Sequence, residues 1–321
     1  MVPYLDLHCD TLRAAALAGL PSVRCAPGLM VDAERLRRGG AGGQYFGMFF
    51  CQTDGPEVPP PDELMAKMLA VYRETLRECA DTFAPARGFA DWEKNRRAGK
   101  ISAFLSIENA YAANGDLNRL NRWREEGVSL AALTWNHANC LGFPHSADPA
   151  ESARGLTEFG REAVARMNEL GLIVDVSHLS DGGFRDVAAL SAKPFVASHS
   201  NCRALAPRSR NLSDGMLRTL AGRGGVAGLN FYPPFLNASA EDMTGRVERM
   251  CEHVEHVVAV AGEDCPALGT DFDGIEGELE IPGCEGMPRL FDALRRRGLT
   301  ERQLEKLACG NFLRVLRENC P

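Results

Sequence analysis

The chain has 321 residues, a length that fits one α/β barrel domain or two smaller domains. At 45% apolar and 25% charged residues it has the make-up of a soluble globular protein with a large core. A formal charge of −7 argues against a nucleic-acid or anionic-membrane partner, and no run of about 18 apolar residues offers a membrane span.

The eleven cysteines are scattered, odd in number and contain no CxxC pair, so reduced thiols are the simpler reading. The opening Met1-Val2-Pro3-Tyr4-Leu5-Asp6 has neither the basic nor the apolar region of a secretion signal. A cytoplasmic protein is expected.

In chain order, the first apolar run is Tyr4–Asp10. Gly39–Gly43 reads as a flexible approach to a second run, Gln44–Cys51. Asp54–Pro61 is rich in proline and acid, as surface loops are, and leads to a long amphipathic helix over Asp62–Phe83. The third run is Ile101–Glu108, followed by a helix over Asp116–Glu126. The fourth, Ser129–Trp135, precedes a helix over Thr157–Leu170 that stops at Gly171. Ile173–His178 and Phe195–His199 come next, then a helix over Ser213–Arg223 with Ser-Asp as cap and acidic first turn. Val226–Phe231, a helix over Ala240–Ala261, Ala267–Asp271 and a helix over Thr300–Glu318 complete the chain.

The eight apolar runs are rich in Val, Ile, Leu and Phe, as buried parallel strands are. Their alternation with helices and the absence of a linker predict a single closed (β/α)8 barrel over residues 1–321. An open doubly wound sheet would carry a glycine-rich phosphate loop after its first strand, and none is present.

Barrel chemistry sits at the C-terminal strand ends. Five of the eight runs end in a metal-capable side chain: His8 and Asp10, Glu108, His178, His199 and Asp271. Buried together without partners these groups would be costly. Alternation along a strand points His8 and Asp10 the same way and turns Cys9 towards the helices as a packing residue. Three imidazoles and three carboxylates suit zinc better than magnesium or calcium, with manganese, iron or cobalt fitting nearly as well, and so many ligands suit two ions better than one.

The chain resembles the membrane (renal) dipeptidases, binuclear zinc peptidases of the amidohydrolase superfamily. The matching segments run almost end to end: DLHCDTL at 6–12, SIENA at 106–110, VDVSHLS at 174–180, SHSNCRALAPRSRNLSD at 198–214, GLNFYPPF at 228–235, GTDFDG at 269–274 and GNFLRVL at 310–316. The resemblance implies two zinc ions, with His8 and Asp10 holding the first, Glu108 bridging, and His178 and His199 holding the second. It implies that Arg210 grips the substrate's C-terminal carboxylate, a task that suits a planar guanidinium. Asp271 would shuttle the proton, and Tyr232 would line the substrate pocket. The reaction implied is hydrolysis of a dipeptide, with tolerance of a D-residue at its C-terminal position, in a homodimeric enzyme.

One position departs from the family. A histidine commonly follows Leu-Thr on strand four and polarises the scissile carbonyl, whereas Trp135 stands there in this chain. His137 lies two residues on, on the same face if the strand continues, and Asn136 is the alternative donor.

Other polar residues have blander readings. His253 and His256 share one helix face outside the barrel and read as structural. His145 reads as surface or pocket rim with no role. Asp175 reads as a hydrogen-bonding residue, and Asp273 as able to orient a ligand. Arg203 and Arg208 rival Arg210, and only the family register separates the three. Arg295–Arg297 reads as a solvated helix end. Deaminases, lactonases and phosphotriesterases commonly open with HxH and a bridging lysine on strand four. This chain has HxD and no lysine between Lys100 and Lys193. A non-catalytic barrel would be expected to have lost ligands.

Overall fold

The computed structural model describes residues 3–321. Its barrel strands are β1 (Tyr4–Asp6), β2 (Ala41–Phe49), β3 (Ile101–Glu108), β4 (Val128–Ala132), β5 (Ile173–Asp175), β6 (Val196–Ala197), β7 (Val226–Leu229) and β8 (Pro266–Leu268). All pair in parallel, in the order β2-β1-β8-β7-β6-β5-β4-β3, and β2 closes the ring on β3 from Gly43–Ser102 to Phe49–Glu108. A short extra strand, Phe83–Pro85, flanks the start of β3. Each of the eight expected runs overlaps one barrel strand, although β2, β4 and β8 begin before their runs, at Ala41, Val128 and Pro266.

The strands end sooner than the runs do. His8, His178, His199 and Asp271 lie in the loops just past β1, β5, β6 and β8, and only Glu108 is the last residue of its strand. Backbone conformation explains part of this. His178 and Asp271 have φ of 67° and 64°, left-handed values that no strand ladder accommodates.

Side chains along the strands alternate between two apolar clusters. Phe46, Leu105, Ala131, Val174, Ala197 and Ala227 join the larger one, which includes many helix residues. Their neighbours Tyr45, Phe104, Leu130, Ile173, Val196 and Val226 join the smaller one with Phe312, Val315 and Leu316 of the C-terminal helix. Tyr45 stacks on Phe104 with centroids 4.6 Å apart, and the Phe312 ring meets Tyr45 edge-on at 5.4 Å. This second cluster is the floor of the barrel. Two residues further along the same strand faces the side chains turn polar: Ser106, Asp175 and Ser198, all buried.

The helices follow their local signals. The one over Glu158–Leu170 starts where Thr157 Oγ1 accepts from Gly160 N–H and stops at left-handed Gly171. Ser213 caps the helix Asp214–Gly222 in the same way. The expected 62–83 helix runs Pro61–Glu78, and the expected 240–261 helix begins only at Val247, because Thr244–Gly245 pairs with Glu278–Leu279. The last expected helix starts from a capping box of Thr300 and Gln303 and passes through a π-turn at Lys306–Gly310. Gly39–Gly43 is not a flexible approach. Gly40 caps the helix Ala33–Gly39, and Gly42 and Gly43 lie inside β2, where a Cβ would come within 2.9 and 2.8 Å of the Trp92 ring.

Candidate metal centre and substrate cleft

Six ionisable side chains converge at the C-terminal mouth of the barrel. Glu108 stands at their centre and its two oxygens face different ways. Oε2 lies 3.4 Å from His8 Nε2, while Oε1 lies 3.0 Å from His178 Nε2 and 3.6 Å from His199 Nε2. His8 Nε2 is also 3.5 Å from an oxygen of Asp10 and 3.5 Å from one of Asp271. The His8 and His199 rings stack at 4.0 Å, and the Nε2 atoms of His178 and His199 are 3.0 Å apart. His8, Glu108 and His199 can therefore offer ligand atoms to one point, as can His8, Asp10 and Asp271.

The loops that carry these groups are braced from behind. Asp175 accepts Ser177 N–H, Ser198 N–H and the Ser198 hydroxyl, and the Ser198 oxygen lies 2.6 Å from His199 Nδ1. Asn230 donates to Asp271 Oδ2 at 2.8 Å and leaves Oδ1 towards His8. Asp175 thus makes the structural hydrogen bonds expected of it. Cys9 is buried with its thiol on the Tyr45 carbonyl. Asp273, expected to be able to orient a ligand, instead accepts from the Thr11 hydroxyl and Met30 N–H at 2.5 Å each and so ties down its own loop. Asn230 was missed by sequence reasoning although it lies in the segment 228–235 that was singled out.

Burial and charge set the protonation of the cluster. Burial disfavours charge on His8, but Glu108 and Asp10 outweigh it and hold the imidazole pKa well above its ordinary value. Burial, with Arg210 and His8 nearby, holds His178 and His199 neutral, the form that ligates metals. Burial raises Glu108, and it pushes Asp271 up to about 7 with Asp10 and Glu108 adding to the effect.

A cation fits this set. The buried atoms His8 Nε2 and Asp10 Oδ1 have no hydrogen-bond partner, an expensive state that a metal would relieve. Imidazoles mixed with carboxylates are donors for zinc and its neighbours rather than for magnesium or calcium.

The cluster floors a cleft of about 370 Å³, a size for a small substrate. Phe49, Trp135 and Asn136 form one wall, and Tyr232, Phe235 and Ile275 another. A larger groove of about 920 Å³ opens beside Arg37, Trp92 and Lys100, away from every residue of the cluster. His137 is exposed and does not line the cleft. Its expected position assumed that strand four continues, but β4 stops at Ala132 and the alternation argument lapses there. Asn136, the alternative donor, does reach the site, with Oδ1 3.0 Å from His178 Nδ1.

Arg210 is buried, donating to the His199 carbonyl at 2.9 Å and to Ser200 Oγ at 2.5 Å. Among the described residues no carboxylate lies within salt-bridge distance of it, and its Nε has no partner. Burial without such a pair lowers its pKa to about 10. Arg203 is engaged by Asp181 in a two-pronged pair, and Arg208 donates to the Pro207 and Ala238 carbonyls. His253 takes Cys202 N–H and faces the Leu236 carbonyl, and His256 pairs with Asp214, so neither joins a metal site.

A closed parallel barrel with a buried imidazole–carboxylate cluster at its mouth defines a metal-dependent hydrolase of the amidohydrolase type. Residues 1–320 match the membrane dipeptidase family, peptidase family M19, and the chain belongs to that family as a metallo-dipeptidase. Dipeptidase aclJ of Aspergillus oryzae is 31% identical over 294 residues, spanning 89% of this chain and 69% of that protein. A Klebsiella pneumoniae protein from the pqqA 5' region is 34% identical over 264 residues, spanning 80% of this chain and 96% of that protein. A crystal structure of a Rhodobacter sphaeroides metallopeptidase, liganded with a phosphinate mimic of the dipeptide L-Ala-D-Ala, superposes with a TM-score of 0.87 at 29% identity over 99% of both chains. Despite the family's name, no helix among the described residues is long and apolar enough to cross a membrane.

Proposed function

We propose that the protein is a binuclear zinc dipeptidase that cleaves dipeptides with a free C-terminal carboxylate and accepts a D-residue at that position. The observation that carries this reading is the split presentation of Glu108, with one oxygen towards His8 and the other towards His178 and His199. A carboxylate that bridged two ions would present its oxygens in this way. His8 and Asp10 would hold one ion, and His178 and His199 the other. The Rhodobacter sphaeroides complex supports the substrate class, including the D-residue.

Bound zinc supplies Lewis acidity and lowers the pKa of water towards neutrality. The chain's own residues do the rest. Arg210 pairs with the substrate carboxylate through N–H groups that its two internal bonds leave free, which fixes the peptide length and sets the scissile bond over the cluster. Asp271, held by Asn230 through Oδ2, takes the proton of the attacking water at Oδ1 and passes it to the leaving amine. Asn136 has its Oδ1 turned to His178, so its amide N–H₂ is the group that meets the scissile carbonyl oxygen. Tyr232 and Phe235 wall the side of the cleft nearest Arg210, whose guanidinium lies 5.6 Å over the Phe235 ring.

The chain is read as one catalytic domain over 1–321, supported by a barrel that draws strands from Tyr4 to Leu268 and a floor from the C-terminal helix. All eleven cysteines are unpaired, which supports a reducing, cytoplasmic setting. A homodimer is the assembly that the family resemblance implies.

The test is zinc per chain in the purified protein, with the same sample assayed on L-L and L-D dipeptides. Two zinc equivalents and hydrolysis that is lost on chelation and restored by zinc is the expected result. Two ions without cleavage of any dipeptide would move the substrate to another small amide. No metal after reconstitution would overturn the proposal.

A further inference from the structure

The loop after β4 and the loop that leads into Arg210 meet behind His178. Asn136 Oδ1 lies 3.0 Å from His178 Nδ1 and 3.3 Å from His145 Nε2. His145 Nδ1 lies 2.9 Å from the hydroxyl of Ser209, the residue before Arg210. The backbone joins in, because His145 N–H donates to the His178 carbonyl at 2.7 Å and Pro144 bridges Leu179 as an antiparallel pair. His145 itself does not line the cleft.

With a metal on His178 Nε2, the hydrogens in this chain of contacts have one assignment. His178 turns Nε2 towards Glu108 and His199, so a metal bound there requires the ring hydrogen on Nδ1. That hydrogen needs an acceptor, and Asn136 must present its oxygen. The same oxygen then receives the hydrogen of His145 Nε2, and His145 Nδ1 accepts from the Ser209 hydroxyl. The reversed amide would set an N–H₂ group against His178 Nδ1 and force the ring hydrogen onto Nε2, where it would exclude the metal. His145, by giving its Nε2 hydrogen to the same oxygen, favours the amide orientation that the metal requires. The need for such a brace is physical: His178 sits at φ 67° beyond the end of β5, with no strand ladder to hold it.

We propose that His145 is a positioning residue. Acting through Asn136 it fixes the rotation and tautomer of the His178 imidazole, and through Ser209 it ties that ligand to the loop that presents Arg210. This rests on the two-metal reading above. Outer hydrogen bonds to ligating histidines are worth roughly 10- to 100-fold in metal affinity.

The experiment is a zinc titration against a competing chelator on the stripped full-length protein, repeated by absorption with cobalt(II). In His145→Phe, which keeps ring bulk and removes both nitrogens, one of two sites should weaken by roughly 10- to 100-fold while the other is unchanged. The cobalt spectrum of the weakened site should shift. His145→Gln, whose amide N–H can reach the same acceptor, should restore most of the affinity. Asn136→Leu, at an exposed position, should reproduce the loss and is read in the same way should His145→Phe not fold. Wild-type zinc affinity and an unaltered cobalt spectrum in His145→Phe, or in Asn136→Leu, would overturn the inference and leave the two-metal reading standing. A wild-type protein that binds only one zinc would overturn both.

Discussion

The floor and the mouth of this barrel are built from the same strands and obey opposite rules. On the floor, Tyr45, Phe104, Leu130, Ile173, Val196 and Val226 form an apolar cluster with the C-terminal helix. Every one of these side chains gains free energy by leaving water. Two to four residues further on, the same strand faces carry Ser106, Glu108, Asp175 and Ser198, all buried. At the mouth, Asp10, Glu108 and Asp271 crowd around His8, and burial raises the pKa of both Glu108 and Asp271. Two of the residues there, His178 and Asp271, hold left-handed backbone that costs energy in a non-glycine residue. The floor offsets what the mouth costs, and the two regions should respond to mutation in separable ways.

The sharpest separation comes from Glu108→Gln. The amide keeps the shape and removes the charge shared between His8 and His178. Turnover should fall on the order of 10³-fold or more, as when one member of a catalytic unit is lost, and zinc content should drop below two per chain. The metal-free protein should still unfold in one cooperative transition. Circular dichroism melts beside metal analysis would show it, and an active variant with two metals would remove Glu108 from the bridging role. Phe104→Ala is the mirror experiment. It truncates a fully buried floor residue stacked on Tyr45 and should cost about 3–5 kcal/mol of stability in denaturant titration. The remaining folded fraction should keep both metals and its kcat.

The same contrast governs what could be read from the sequence. The floor was legible, because parallel strands buried on both faces announce themselves as apolar runs, and each of the eight runs overlaps a barrel strand. The boundaries were less so. The runs continue through His8, His178, His199 and Asp271, whereas the ladders stop earlier as the backbone turns. That early stop explains His137, placed on the cleft face by an alternation that ends with β4 at Ala132. The metal-capable residues were legible as polar ends of apolar runs, and the resemblance supplied their roles. Their bracing was not. Asn136 and His178 are 42 residues apart, Asn230 and Asp271 are 41 apart, and His145 reaches both Asn136 and Ser209. Such contacts depend on how loops fold over one another, and no local periodicity records them.

Two smaller tests sharpen the comparison within the mouth itself. Arg210→Met removes a buried charge that has no carboxylate partner of its own among the described residues. The KM for dipeptides should rise roughly 10- to 100-fold, the worth of a hydrogen-bonded charge pair of about 1.5–3 kcal/mol. Discrimination between a dipeptide and its C-terminal amide should vanish, and steady-state kinetics on the two substrates would measure it. Retained discrimination would place the carboxylate elsewhere.

The finest test sets one glycine at the mouth against one on the outside. A Cβ at Gly274 would stand 2.1 Å from Asp10 Oδ2 and 2.8 Å from Asp271 Oδ1. In Gly274→Ala both carboxylates must move, so zinc affinity should fall about tenfold, in the range of lost supporting contacts around a ligand, with little change in the melt of the metal-free protein. Gly215 is exposed in the first turn of the helix Asp214–Gly222, and its Cβ would meet nothing nearer than Ser213 Oγ at 3.8 Å. Gly215→Ala should therefore raise stability by about 0.5–1 kcal/mol through lower backbone entropy in the unfolded chain, and leave zinc binding alone. Opposite signs in the two variants, read as chelator competition and denaturant midpoint, would show that the mouth keeps its glycine for room around the carboxylates. Equal and small effects on zinc would mean that Asp10 and Asp271 have slack and do not depend on the room that Gly274 leaves.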